Sequence, residues 1–329
     1  MAFSPWVGRM WRFPTIWSHF KNWICSWGSS MSRLIRRPHV DDEERPSGEQ
    51  SNNIEPDKGY SYIRDAEGEF ISGGITGIVE LLDDGTVLKA PFPDSDIQSH
   101  IEDIAKEADI YHRIGPHKRL VRLLGHSSNG LVLEYMKNGD LKSYLQAHDS
   151  IPTRLKLKWA YQVAEGVDLL HKNEVTHCDI KPRNLLLDPN FDIQIIDFSG
   201  SSLNGSKPAS AEGTRFYLPR HWHDRPTVTT DLFALGSTLY EIFQGTSPYD
   251  EIPSDEVERL FTQKEFPDVS GILCGEIIKQ CWLSQVDSAA HVQNAIQDIL
   301  SRTANTDCTP HLGGLGLCQD MLTDQVVFP

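Results

Sequence analysis

Thr176-His-Cys-Asp-Ile-Lys-Pro-Arg-Asn184, followed by the apolar run Leu185 to Leu187 and then by Ile193-Gln-Ile-Ile-Asp-Phe-Ser199, is the stretch that decides the fold. It sets two carboxylates (Asp179, Asp197), an amine (Lys181) and an amide (Asn184) in a fixed order among apolar residues. A core His-Asp pair can arise by chance, but these four groups in this order and spacing would rarely do so. Upstream, Phe70-Ile-Ser-Gly-Gly-Ile-Thr-Gly-Ile-Val79 holds glycines at 73, 74 and 77 between two strand-like runs, followed by the turn Asp83-Asp84-Gly85 and the run Thr86-Val-Leu-Lys89. A glycine-rich hairpin lets backbone amides approach phosphate oxygens because no side chain blocks them. Alone such a hairpin is weak evidence; beside the first stretch it gains meaning. Between the two, Ile101 to Ile114 reads as a helix with an apolar stripe at Ile101, Ile104, Ala108 and Tyr111. Glu107 lies at the edge of that stripe, where its carboxylate can face Lys89 rather than solvent.

The chain around these motifs is acidic. Its 329 residues carry 31 Lys and Arg against 46 Asp and Glu, a formal charge of −15. Residues 1 to 40 hold six basic residues and no acid, so the remainder has 25 basic against 46 acidic residues, or −21. Nucleic acid is therefore not an expected partner, since phosphate binding draws on a basic surface. With 39% hydrophobic and 23% charged residues the chain suits a globular protein. No stretch approaches the ~18 uncharged apolar residues of a membrane-spanning helix. Six cysteines without short paired spacings do not form a disulfide framework, which suits a reducing, cytoplasmic location. Cys308, His311 and Cys318 lack a fourth ligand nearby and make a poor metal site.

The head is a different material from the body. Trp6, Met10, Phe13, Trp17, Phe20, Ile24 and Trp27 repeat at helical spacing among basic residues, with Pro14 as a kink. Three readings follow for residues 1–37: a dispensable extension (Met31 could start the chain), a segment in peripheral contact with a membrane or organelle surface, or a segment packed on the body. Residues 38–57 are polar and nearly free of aliphatics, so they form a linker. The expected organisation is a head and linker over 1–57, a folded body over 58–303, and a loose tail over 304–329.

The stretch from Thr176 to Ser199 resembles the eukaryotic protein kinases, in which His-Arg-Asp and a following Asn form the catalytic loop and Asp-Phe-Gly carries metal. The resemblance covers about 245 residues, from the glycine-rich hairpin to the last helix. It implies an α+β, two-lobed fold: a small β-rich N-lobe with one main helix over about 58–135, and a larger, mostly helical C-lobe over about 136–303. It also implies ATP and Mg²⁺ as cofactors and a protein substrate with a Ser or Thr acceptor. By position, Gly74 and Gly77 would border the phosphates, and Lys89, oriented by Glu107, would hold them. Val79, Val87 and Leu186 would enclose adenine. Leu133 would be the gatekeeper, with backbone groups of Glu134 and Met136 facing the base and Asp140 near the ribose. Asn184 and Asp197 would ligate Mg²⁺; Asp179 would orient the acceptor hydroxyl, and Lys181 would offset charge on the γ-phosphate. Asp231-Leu-Phe-Ala-Leu-Gly236 looks like the buried helix that anchors the C-lobe. Lys181, two places after Asp179, and Thr214 favour the serine/threonine type, whereas Cys281-Trp282 is more typical of tyrosine-kinase-like groups.

The chain also departs from the family pattern. Cys178 replaces the Arg before the catalytic Asp, a buried cation normally offset by phosphate on the activation loop, so activity independent of phosphorylation is expected, although Ser201, Ser202, Ser206 and Ser210 are available. Ser199 replaces the Gly after Asp-Phe, and Ser72 the first loop glycine. Arg220 and Ala289 stand where a buried Glu-Arg pair is expected, so both halves of that pair read as lost. An active kinase is the first reading and a pseudokinase scaffold of the same fold the alternative, with a small-molecule phosphotransferase a distant third.

Overall fold

The computed structural model describes residues 67–221 and 223–307. The Trp-rich head, the linker, and the Cys308-His311-Cys318 group all lie outside the described residues. Five antiparallel strands open the fold: β1 (Glu69–Gly73), β2 (Gly77–Leu81), β3 (Val87–Pro91), β4 (Leu123–Ser127) and β5 (Gly130–Leu133). They are ordered β1-β2-β3-β5-β4. The β1–β2 turn closes through the Gly74 N–H donating to Gly77 O at 2.9 Å. A Cβ at Gly77 would sit 2.7 Å from Ala90 O, so the pairing with β3 requires glycine there. That pairing sets Val79 opposite Lys89, while β3–β5 sets Val87 opposite Leu133.

Helix α1 (Ile97–Ile114) crosses behind this sheet. It begins four residues before the expected start, because backbone bonds from Ser99 and His100 to Asp96 O wind a polar first turn that carries no apolar period. Its buried face differs from the expected stripe. Ile101 is 36% exposed, while His100, Ile104, Glu107, Ala108 and Tyr111 are buried. Glu107 therefore lies inside the face, not at its edge. Periodicity counted only apolar side chains and so shifted the face by about one residue.

The second lobe is mostly helical: α2 (Leu141–Ala147), α3 (Thr153–Lys172), α4 (Val228–Gln244), α5 (Ser254–Thr262), α6 (Gly275–Trp282) and α7 (Ala289–Asp307). Trp159, Val163, Val167 and Leu170 bury one face of α3, with Leu155 only partly buried. Helix α4 is buried almost all round, with Leu232, Phe233, Ala234, Leu235 and Leu239 inside. Its Ser237 hydroxyl accepts from the Trp282 indole at 2.9 Å. Helix α7 continues through Asp307, beyond Thr303, where the expected body stopped. Two short antiparallel ladders hold the loops of this region: β6 (Val175–Thr176) with β9 (Ser202–Leu203), and β7 (Leu185–Leu187) with β8 (Ile193–Ile195). The fold is thus a β-sheet lobe and a helical lobe, as expected.

Candidate active site

β3 aims Lys89 inward, and its ammonium meets both Glu107 Oε2 at 2.5 Å and Asp197 Oδ1 at 2.6 Å. Glu107 is completely buried, whereas the Asp197 side chain is 42% exposed and faces the cleft. Two carboxylates hold Lys89 protonated, raising it above its usual range in spite of burial. Burial would raise Asp197 too, but the Lys89 charge and hydrogen bond bring it down to about 2. Burial pushes Glu107 above its ordinary 4.5 against the pull of the shared ammonium.

The arrangement is locked from below. The His177 ring lies edge-on to Phe198 (5.4 Å between centroids), and Phe198 edge-on to Tyr111 (5.2 Å). This column of rings ties the loop of Asp179 to α1 and holds Glu107 inward. The His177 Nε2–H donates to Ile196 O at 3.0 Å. Asp231 on α4 accepts the His177 and Cys178 backbone N–H groups at 2.7 and 2.9 Å, bracing the loop through one buried carboxylate. Cys178 and Asp197 both adopt left-handed backbone, φ 66° and 71°, a conformation that costs energy outside glycine and is held here by these bonds.

Asp179 shares Oδ2 between the Lys181 ammonium at 2.6 Å and the Asn184 amide at 3.0 Å. Its buried Oδ1 has no hydrogen-bond partner. A buried carboxylate oxygen without a donor is an acceptor left to be satisfied. Burial pushes this carboxyl above its ordinary 3.8, with Lys181 pulling the other way. The Asn184 nitrogen also donates to Asp179 O at 2.9 Å, which leaves its carbonyl oxygen to offer. The pairing of β7 with β8 and a bond from Ile196 N to Asn184 O at 3.1 Å keep Asn184 beside the backbone that leads to Asp197. A carboxylate and an amide carbonyl fit Mg²⁺, a hard ion that usually takes one or two protein oxygens and fills its shell with phosphate and water.

The remaining expected residues are placed as follows. Val79 and Val87 lie on the sheet lobe, Leu133 ends β5, and Leu186 lies on β7. Nothing stands within 4 Å of a Cβ built at Gly74. The Glu134 N–H donates to Arg122 O at 3.0 Å, and Met136 O accepts from Gly139 N at 3.1 Å. Asp140 caps α2: its oxygens accept from the Ser143 N–H at 2.9 Å and the Ser143 hydroxyl at 2.7 Å.

Three features escaped the sequence reading. The Ser199 hydroxyl bonds Asp197 Oδ1 at 3.0 Å and meets the Thr76 hydroxyl at 2.9 Å, fastening the hairpin tip to the carboxylate of Asp197. The activation loop is closed on itself rather than open. Ser201 and Ser202 are buried, with hydroxyls donating to His177 O at 3.0 Å and Ser206 O at 2.6 Å. The Ser206 hydroxyl accepts from Leu203 N at 3.0 Å, and Ser210 packs where a Cβ on Gly200 would be. Finally, Arg220 and Ala289 make no pair with each other, and Arg220 instead binds Glu212 at 2.7 Å, both largely buried, while Ala289 opens α7 in the core. The pair is reversed in sign along the chain and drawn from within one segment, which position-by-position matching could not reveal.

A family model described as the protein kinase domain matches residues 82–322. Receptor-interacting serine/threonine-protein kinase 1 of Homo sapiens is 28% identical over 270 residues, covering 70% of this chain and 40% of that protein. A G-type lectin S-receptor-like serine/threonine-protein kinase of Arabidopsis thaliana is 35% identical over 154 residues (41% of this chain, 18% of the relative). The receptor tyrosine-protein kinase erbB-4 of Homo sapiens is 31% identical over 189 residues (52% and 14%). The chain spans less than half the length of each. Among the described residues no helix is long and apolar enough to cross a membrane.

Proposed function

The chain belongs to the protein kinase family, and on that basis we propose that it is an active, ATP-dependent kinase acting on serine and threonine hydroxyls of proteins. One observation carries this reading: the Lys89 ammonium held between Glu107 and Asp197 at 2.5 and 2.6 Å. Such a contact positions a cation where nucleotide phosphates would enter and leaves an ionised carboxylate beside it.

Adenine would lie between Val79 and Val87 above and Leu186 below. With the Glu134 N–H and the Met136 carbonyl engaged within the chain, the Glu134 carbonyl and the Met136 N–H remain, one acceptor and one donor. That pair complements the donor and acceptor edge of adenine. An approach of Asp140 to the ribose would use the lone pairs that Ser143 leaves. Gly74 and Gly77 would border the phosphates, and Lys89 would bind them. Asp197 and the Asn184 carbonyl would hold Mg²⁺, which supplies charge stabilisation at the phosphates. The acceptor hydroxyl would donate its hydrogen bond to Asp179 Oδ1, the oxygen without a partner. As its oxygen bonds to the γ-phosphorus and the bond to the bridging oxygen of ADP breaks, its proton passes to Asp179 and then to solvent. Lys181 would offset the charge gathering at the γ-phosphate. Its seat beside Asp179 favours the serine/threonine type.

A scaffold function remains as the second reading because the Thr76–Ser199 contact spans the place where phosphates would lie. The full chain incubated with Mg²⁺, labelled ATP and protein substrates, beside Lys89→Met and Asp197→Ala, separates the two. Label incorporated by the native chain alone supports the kinase; equal label from all three overturns it. Nucleotide binding without transfer favours the scaffold. Peripheral membrane contact of residues 1–37, with an otherwise cytoplasmic location, is a further proposal; an evenly diffuse reporter fusion of that segment would refute the contact.

A further inference from the structure

Ser199 is almost wholly buried, at 3% exposed, and its hydroxyl touches three groups. It donates to Asp197 Oδ1 at 3.0 Å, accepts from the Lys89 ammonium at 3.4 Å, and meets the Thr76 hydroxyl at 2.9 Å. A serine hydroxyl has one hydrogen and two lone pairs. The hydrogen goes to Asp197, so Thr76 is the donor to Ser199, and the Ser199 oxygen is then filled on every side. A directed chain results, Thr76 to Ser199 to Asp197, in which each donor polarises the next. Asp197 needs such support. Its backbone is left-handed, φ 71°, a conformation that a residue with a side chain keeps only where its surroundings fix it. Gly200 does not relieve the strain: its own φ is not positive, and a Cβ there would strike the Ser210 side chain, so it serves close packing.

The bonds from Lys89 and from Ser199 both fall on Oδ1 of Asp197, which leaves Oδ2 for whatever enters the cleft. The Lys89 ammonium donates to Glu107 at 2.5 Å, Asp197 at 2.6 Å and Ser199 at 3.4 Å. The last of these is the longest and weakest. A phosphate oxygen arriving at the ammonium would therefore displace Ser199 as an acceptor and leave its donation to Asp197 intact. We propose that Ser199 is a positioning residue: its hydroxyl, steadied by Thr76, fixes the carboxylate of Asp197 in the empty cleft, ready for the divalent ion that accompanies a nucleoside triphosphate. This rests on the kinase reading for the identity of the ligand, but not for the order of the empty segment. A glycine at 199 could supply neither the bond nor the restraint on the backbone.

The test uses the full chain in two measurements. Hydrogen exchange without nucleotide reads the order of the segment through the Ile196 and Ser201 amides, which donate to Asn184 O and Phe198 O. Ser199→Ala should speed their exchange about ten- to hundredfold, the range expected for one hydrogen bond to a charged group. Ser199→Gly should speed it further by freeing the backbone, and Ser199→Thr, which keeps the hydroxyl, should restore it. Calorimetry then compares ATP with Mg²⁺ against ATP with a chelator. Ser199→Ala should cut the advantage that Mg²⁺ gives to binding by about tenfold. Thr76→Val, which leaves the bond from Ser199 to Asp197 in place, should keep that ratio, and a merely structural defect would weaken both forms of ATP alike. Native exchange rates in Ser199→Ala, or an unchanged Mg²⁺ advantage there, overturn the proposal. If the added methyl of Ser199→Thr unfolds the chain, the comparison of Ser199→Ala with Thr76→Val decides alone. Faster exchange in Ser199→Ala, in a protein whose native chain binds no nucleotide, overturns the kinase reading and leaves the hold of Ser199 on Asp197 standing.

Discussion

Replacing Lys89 by Met should destabilise the fold in a way that depends on pH. The substitution leaves Glu107, wholly buried, without the ammonium 2.5 Å away. Breaking a buried pair from one side typically costs about 3–5 kcal/mol, because the remaining charge is stranded. Glu107 has an escape, which is to take up a proton. From its ordinary value of 4.5, staying neutral at pH 7 costs about 3.4 kcal/mol at about 1.4 kcal/mol per pH unit, and this sets a ceiling on the charge penalty. The sign follows directly. A carboxyl whose folded pKa is raised binds its proton more tightly in the folded state, so the variant loses stability as pH rises above 4.5 and recovers it as pH falls. Thermal unfolding of Lys89→Met and the native chain, from pH 5.5 to 8, should show a Tm deficit of roughly 6–14 °C at pH 7, at about 2–4 °C per kcal/mol for a domain of this size. The deficit should shrink steadily toward pH 5.5 and largely vanish in Lys89→Met/Glu107→Gln. The substitution also takes from Asp197 the cation that brings it down to about 2, but its side chain is 42% exposed, so water offsets most of that loss. A deficit that is the same at every pH, or that Glu107→Gln leaves in place, would show that the ammonium is not what makes the buried carboxylate tolerable.

Asp179→Asn should lower kcat by about 10²–10⁴-fold with little change in KM for ATP, and the acid limb of the native profile should fall above the ordinary carboxylate value of 3.8, since burial raises Asp179; steady-state rates against pH measure both. Thr76→Val removes the hydroxyl that clasps Ser199 across the cleft, and a net hydrogen bond of about 0.5–1.5 kcal/mol translates into nucleotide binding about two- to tenfold tighter by calorimetry; weaker binding would mean that the clasp helps to form the site. Tyr111→Phe deletes a buried hydroxyl that has no partner, so denaturant unfolding should give about 1 kcal/mol of added stability with Phe198 still packed edge-on. Phosphatase treatment of the purified chain should leave turnover unchanged, whereas loss of turnover on removal of loop phosphate would overturn the view that the closed loop needs none.

What could be read from residues alone was whatever the chain writes as an ordered motif. The hairpin and the helix of Glu107 follow from turn chemistry and period, while the two lobes and the groups at 89, 179, 184 and 197 follow from the family resemblance that their ordered motifs carry. Glu107 shows the limit. Its place on the helix was legible, but its full burial was not, since a carboxylate enters an apolar face only when a partner from another element meets it. Ser199 and Thr76 lie 123 positions apart, and no local pattern announces that two hydroxyls so distant will touch. Asp140 was assigned to a ribose by position, while the local rule that Asp followed three residues later by a donor caps a helix describes the bonds it makes. The loop serines count as available for phosphorylation in the sequence, yet bonds from their own hydroxyls go with the burial of two of them, Ser201 and Ser202.

The hardest feature to foresee concerns the charge missing at 178. An arginine there would be buried beside Asp231, whose carboxylate already receives two backbone N–H groups and the His171 ring at 2.9 Å. Cysteine fits that enclosed place as a small apolar group, with its thiol pushed up by burial first and by Asp231 next, so it stays neutral and unreactive. The positive charge has not vanished from the neighbourhood: Arg220 brings it from the end of the same segment, and Glu212 supplies the anion that phosphate would otherwise supply. An ion pair of two genetically encoded side chains is always present, whereas an arginine awaiting phosphate is paired only after modification. Such a pair, in place of one that waits on modification, would restrain the activation segment permanently rather than conditionally.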